Sequence, residues 1–370
     1  MFGTKTGVLT LQAANDATHN LPTGFAGTGI IESMARRKLS SDILEYVYAR
    51  SLYWDGIFDD NGISKDQNTY ATHLCLLKYD VSRKFTFEQI YANFKSYIDT
   101  KFGGASNLGN AYNNNVLILQ FASRATLPNI LWLYKAAVEA GDVAKQTEMK
   151  TAAYSLAVAM RNSYNSRGFV TLIANQTTAN SNSNATALRA LAIAIHLGTD
   201  TDGSFAAALA GLESVLKTNY ALNANILTEN VNGSLSANQY LHYSMYAFHD
   251  YFRACVMLKR PLVVDMTTYI MTALSGYGAL REQEFCISNS RKGSSLTYAY
   301  YISMLNTLGG LSGQNACRAV LYHLLEQMNP DNSMPRPRDN WPPNLNTGAA
   351  SPVPFELQAL SEILLFNHYV

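Results

Sequence analysis

TDGSFAAALAGLESVLKTNY, residues 201–220, decides the fold class. Phe205, Leu209, Leu212 and Leu216 stand four, three and four apart, the recurrence of one face of an α-helix. Asp202-Gly203-Ser204 offers an N-cap immediately before them. A strand would need alternation with a period of two, and persuasive alternation is scarce along the whole chain.

The same helical spacing recurs on both sides of this stretch. Met34, Leu39, Ile43, Tyr46 and Val47 mark one face; Phe87, Ile90, Tyr91 and Phe94 mark another. Leu127 to Val138 follows, with Pro128 suited to a first turn, and then Met149, Tyr154, Leu156 and Met160. NQTTANSNSNAT (175–186) reads as a polar loop feeding a helix with Leu188, Leu191 and Ile195 on one face. Asn238 to Leu258 is a long aromatic helix, and Tyr298–Leu308, Ala316–Met328 and Phe355–Phe366 complete the series. The expectation is an all-α architecture of antiparallel helix pairs, an incomplete α/α-toroid-like bundle with extended arms at both ends.

The organisation expected is an N-terminal arm over 1–29, a helical body over 30–327, a Pro-rich extended arm over 328–354 and a docking helix over 355–370. Seven of the ten prolines fall in the third segment, where missing backbone donors and a fixed φ favour an extended chain. An apolar helix on such a leash is suited to docking on its own subunit or exchanging with a neighbour.

Only 15 % of the 370 residues are charged, against about 25 % in an average soluble domain, and 23 are tyrosine. A thin charged coat favours association with further copies of the chain. The net charge of +1 argues against a nucleic-acid surface. No apolar run approaches the roughly 20 residues of a membrane span. MFGTKTGVLTLQAAND lacks the apolar core of a secretion signal. Cys75, Cys255, Cys286 and Cys317 lie far apart with no metal-ligand spacing. They suit either buried thiols or slow oxidation to disulfides, so all four are candidates for pairing.

Searches for phosphate loops, zinc-protease helices, nucleophile elbows and calcium loops find nothing, and no cofactor or metal is expected. His242 and His249 are seven residues apart on one helix, about 10 Å by rise, too far to share a metal. Asp55, Asp59 and Asp60 could flank a glycosidic bond, but they sit in a turn whose Asp, Asn and Gly content explains them.

Three segments in order carry a resemblance. They are NNVLILQFASRATLPNILWLY (114–134), Thr177-Thr178-Ala179-Asn180, and NGSLSANQYLHYSMYAF (232–248). Together, over roughly residues 110–275, they resemble the helical toroid of polysaccharide lyases of the hyaluronate, chondroitin and xanthan group. Ser123-Arg124-Ala125 and Leu131-Trp132-Leu133 stand where that family has Pro-Arg-Ala and Leu-x-Leu. The resemblance implies β-elimination beside a uronate. That reaction needs a neutralised carboxylate, a base for the α-proton and an acid for the leaving oxygen. By the resemblance, Asn180 matches the carboxylate-binding Asn and Tyr246 the catalytic Tyr. The catalytic His position holds Asn238, which cannot act as a base. His242, one helical turn before Tyr246, is the available substitute. The family's Arg-rich motif should fall near VVDMTTYIMTAL (263–274), which holds no Arg or Lys, and its sugar-gripping aromatic pair is replaced by Asn115 and Val116.

With these losses, Asn180, Asn238, His242 and Tyr246 read as vestigial positions, and the chain as a non-enzyme. The low charge, the tyrosines and the apolar tails together resemble the nudivirus occlusion-body proteins, the polyhedrins. That resemblance implies a structural matrix protein that self-assembles into a crystalline lattice around virions. Apolar and tyrosine contacts, exchanged arms and disulfides would hold the lattice, which would dissolve in alkali. It further implies occlusion bodies inside an infected cell, in the nucleus, later released. The alternatives are a polysaccharide lyase acting on a uronate polymer through Asn180, His242 and Tyr246, and a carbohydrate-binding helical module.

Overall fold

A computed structural model describes residues 87–113, 123–171, 180–223, 225–228 and 241–266. The expected arms and docking helix, and the helices assigned before residue 87 and after residue 266, lie outside these residues. Seven α-helices occupy the described part: α1 Phe87–Phe102, α2 Leu108–Asn113, α3 Ser123–Glu139, α4 Val143–Arg167, α5 Ser181–His196, α6 Ser204–Leu222 and α7 Leu241–Met257. A 3-10 turn, Ala105–Asn107, joins the first two.

Side chains close the helix ends. The Asp142 carboxylate accepts from the Lys145 N–H at 3.0 Å and opens α4. Gly168, at φ 76°, ends it in a left-handed residue whose N–H returns to the Tyr164 carbonyl. At α6 the sequence points to Asp202 as the cap, and Asp202 does accept from Ser204 N–H at 3.0 Å. Asp200 takes the larger share: its two oxygens accept from Phe205 N–H at 3.0 Å and Ala206 N–H at 2.9 Å.

The helices form two layers. α5 packs against α3 and α7 on its flanks and against α4 and α6 behind, while α4 and α6 touch each other. Every residue of α5 from Ser181 to Ala194 is buried. α4 and α6 each bury one face and expose the other, as Tyr154 (47 % exposed) and Leu222 (70 %) show. Thus α3, α5 and α7 form an inner layer and α4 and α6 an outer one.

The chain direction alternates between layers. Ser181 at the start of α5 meets Asn219 near the end of α6, so these two helices are antiparallel. After α7 the chain returns along α6: Arg260 binds Glu213, and the Asp265 carbonyl accepts from Tyr220 Oη at 2.6 Å. That return runs with α6, so α7 runs against it and in the same direction as α5. The inner helices therefore present their N-termini at one end.

Residues 181–186, the latter half of the expected polar loop, are helical and buried. Small side chains permit this by letting the outer helices approach α5 closely, and Ser181, Asn184 and Thr186 bond to Asn219, Val170 and Asp250. Close approach also fixes Gly109 of α2, where an added Cβ would lie 2.3 Å from the Ser155 carbonyl oxygen of α4.

Candidate functional site at the inner helix N-termini

Asn180 precedes α5 in extended conformation (φ −112°, ψ 141°), and its side chain does not cap the helix. It is half-buried. His242 and Tyr246 lie in the first two turns of α7, one turn apart. Arg124 stands in the first turn of α3. The fold thus brings Asn180, His242 and Tyr246 to the same end of the inner layer. Asn238, Thr177-Thr178-Ala179, Asn114 to Val116 and most of 263–274 lie outside the described residues, as do Asp55, Asp59 and Asp60.

Two buried asparagines hold the chain where it leaves for this end. Asn184 of α5 pairs with the Val170 backbone like a strand neighbour, accepting from its N–H at 2.9 Å and donating to its carbonyl at 3.0 Å. The same amide donates to the Asn180 carbonyl at 2.8 Å. Asn219 of α6 treats Thr228 similarly, accepting from its N–H at 2.9 Å and donating to its Oγ1 at 2.7 Å. Each clamp fixes one end of a segment, 171–179 or 229–240, that leads to an inner helix. Buried amide pairs of this kind are specific because an unmet backbone group in the interior costs about 1–3 kcal/mol.

Behind these positions lies a charged cluster buried between α5 and α7. Arg189 Nη1 is 2.7 Å from Asp250 Oδ1, with side chains 4 % and 1 % exposed. Thr186 Oγ1 donates to Asp250 Oδ2 at 2.6 Å. His249 Nδ1 lies 3.7 Å from Asp250 Oδ1, and Arg253 Nε donates to His249 Nε2 at 3.3 Å. Burial by itself would raise the Asp250 pKa; the charge of Arg189, the His249 contact and the Thr186 hydroxyl outweigh it and hold the group down at about 2. Asp250 is thus a fixed anion, unsuited to donating a proton to a substrate. The sequence reading did not single out Arg189, Asp250 or Arg253. The signal was present in His249-Asp250-Tyr251-Phe252-Arg253, where four titratable residues crowd into an apolar helix.

Further along α7, Tyr251 accepts from Val263 N–H at 2.9 Å and donates to Glu213 at 3.1 Å. Burial raises its pKa strongly, and the neighbouring Cys255 adds to the effect. Cys255 is a free, buried thiol, itself pushed up by burial and so unreactive; Cys75, Cys286 and Cys317 lie outside the described residues. Among the described residues no group of three His, Cys, Asp or Glu side chains is arranged to hold a metal ion. No described helix is long and apolar enough to cross a membrane.

No family model matches the sequence, and no curated protein matches it. The structure is similar to a solved structure titled glycosyl hydrolase family 88 from Bacteroides vulgatus. The likeness covers 90 % of this chain and 99 % of that one at a TM-score of 0.55, with 10 % sequence identity.

This finding corrects the expectation of a nudivirus polyhedrin. A solved chain described as a glycosyl hydrolase is matched over almost its whole length, and its fold accounts for the profile that had suggested a lattice. Charge is sparse where helices such as α5 are buried on every side, with Arg189 the one ionised residue from 181 to 194. Tyr91 and Tyr251 donate hydrogen bonds to Glu148 and Glu213 of their own chain. The readings as an occlusion-body matrix protein, a self-assembling crystal with swapped arms and disulfides, and a non-enzyme fall with that identification. What the comparison establishes is the fold: an all-α, toroid-like arrangement of helices similar to that of a carbohydrate-active enzyme.

Proposed function

We propose that the chain is a carbohydrate-active enzyme that cleaves a uronate-containing polysaccharide by β-elimination. The observation that supports this reading is a toroid-like fold similar to that of a solved glycosyl hydrolase, in which Asn180 precedes α5 and His242 and Tyr246 fall in the first two turns of α7. In this reading the Asn180 amide, not spent on capping α5, donates to the uronate carboxylate and favours the enolate-like transition state. His242 removes the proton on the carbon next to the carboxylate. The electron pair forms a carbon–carbon double bond as the bond to the glycosidic oxygen breaks, and Tyr246 gives that oxygen its proton. The products are an unsaturated uronate end and a free hydroxyl. Asn238 takes no proton.

The test is turnover of hyaluronan, chondroitin and alginate, followed by the ultraviolet absorbance of the unsaturated product. Tyr246→Phe should lower kcat by roughly 10²–10⁴-fold with little change in KM. Appearance of reducing ends without that absorbance would mean hydrolysis and would sink the elimination chemistry.

A further inference from the structure

We propose that Asn184 is a positioning residue for Asn180, fixing its backbone so that its amide side chain stays available to a substrate carboxylate. The inference rests on the proposed elimination for its catalytic meaning, while the positioning itself stands on hydrogen bonds between described atoms.

Asn184 lies near the start of α5 and is 0 % exposed. Both of its amide hydrogens are spent: Nδ2 donates to the Asn180 carbonyl at 2.8 Å and to the Val170 carbonyl at 3.0 Å. Its Oδ1 accepts from the Val170 N–H at 2.9 Å. The Asn180 carbonyl also accepts from the backbone N–H of Asn184 at 3.1 Å. One residue thus supplies two donors to this carbonyl and is itself tied to the chain leaving α4. Peptide units are planar, so a carbonyl held twice fixes the whole unit between Asn180 and Ser181. Only an amide of this length serves. An aspartate would turn acceptor oxygens toward two carbonyls, and an alanine would leave the Val170 N–H and carbonyl without this partner.

An asparagine that precedes a helix ordinarily spends its side chain on the cap, accepting from the N–H two or three residues on. Asn180 does not. The Ser183 N–H, one of the two such donors, is taken by Asn182 Oδ1 at 2.8 Å. Part of the cap's work is therefore done from inside the helix, and the Asn180 amide is left out of it. Asn180 is also half-buried, whereas Asn182 and Asn184 are fully buried. A held backbone with an unspent, accessible amide is what an oriented donor requires, because a donor fixed beforehand need not be ordered as charge develops on the substrate.

The experiment compares Asn184→Asp, Asn180→Ala and the double variant as full chains, on whichever of hyaluronan, chondroitin and alginate the wild type turns over fastest. Asn184→Asp keeps the shape and removes both donors. It should lower kcat by about 10- to 100-fold and change KM by less than about threefold. In the Asn180→Ala background the same substitution should change kcat by less than about twofold, because the group through which it acts is gone. An unchanged kcat in the single variant, or an equal fall in both backgrounds, overturns the proposal; the second result is that of a merely structural residue. A measurement on the wild type alone covers the case in which Asn184→Asp does not fold. With the side-chain amides assigned by nuclear magnetic resonance, the Asn184 amide protons should exchange slowly with solvent and those of Asn180 quickly. Slow exchange at Asn180 would mean that its amide is engaged within the protein, and overturns the proposal too. If the wild type turns over none of the three polymers, the proposed function fails while the exchange rates still decide the positioning.

Discussion

α5 and α6 are neighbours of similar length, yet they obey different rules. α6 is amphipathic: Phe205, Leu209, Leu212 and Leu216 go inward, and Leu222 and much of the rest face solvent. Each large apolar side chain so buried is worth about 1.5–3 kcal/mol. α5 has no outward face. It carries Ser, Asn, Thr and Arg into the interior and holds them by side-chain hydrogen bonds to α7, α6 and the Val170 backbone. An outer helix is specified by where its apolar residues fall; an inner helix is specified by polar residues that must find particular partners. The outer helix tolerates approximate packing, and the inner one fixes register.

The strongest way to break this contrast is Asp250→Ala. It removes the carboxylate that pairs with the buried Arg189 guanidinium and accepts from Thr186, and the loss should reach about 3–5 kcal/mol in a denaturant titration. A loss under 1 kcal/mol would mean that the buried pair does not hold α5 to α7.

Acid sharpens the same point without mutation. The folded-state pKa of Asp250, about 2, lies below the roughly 3.9 of an unfolded chain. Its contribution is therefore complete above about pH 4 and disappears as the pH falls through 2. It amounts to about 2–3 kcal/mol by linkage. The wild type should lose this increment in melts between pH 4 and 2, and a well-folded Asp250→Asn variant should not.

The smallest effect belongs to the outer helix. Asp200→Ala removes the acceptor for two N–H groups of α6 and should lower stability by about 1 kcal/mol, read as a shift in the denaturant midpoint. A loss as large as that of Asp250→Ala would erase the distinction between the layers.

The outer helix was legible because its four-three-four spacing is a local pattern. So was the helical nature of α7, where aromatic residues recur. The start of α5 was not legible. SNSNAT has the composition of a loop, and those residues prefer caps and turns in isolation. Only the surrounding helices, which exclude water and supply Asp250, Asn219 and Val170 as partners, make helix the better state. The sequence offered candidates for the site but not the buried cluster behind it. Asn180, His242 and Tyr246 emerge from a sequence resemblance, whereas Arg189 and Asp250 are ordinary letters until α5 and α7 are laid side by side. The low charge misled for the same reason: it signalled burial, and sequence alone does not say whether the covering surface belongs to another copy or to the chain's own second layer.

The sequence by itself determined that the chain is helical and where its amphipathic helices run, because apolar periodicity acts through neighbours three and four residues away. The tertiary structure alone decided which helices lie inside. It also decided that polar and charged residues would be buried there, because desolvation and pairing depend on what packs around a residue, not on the residues beside it in the chain.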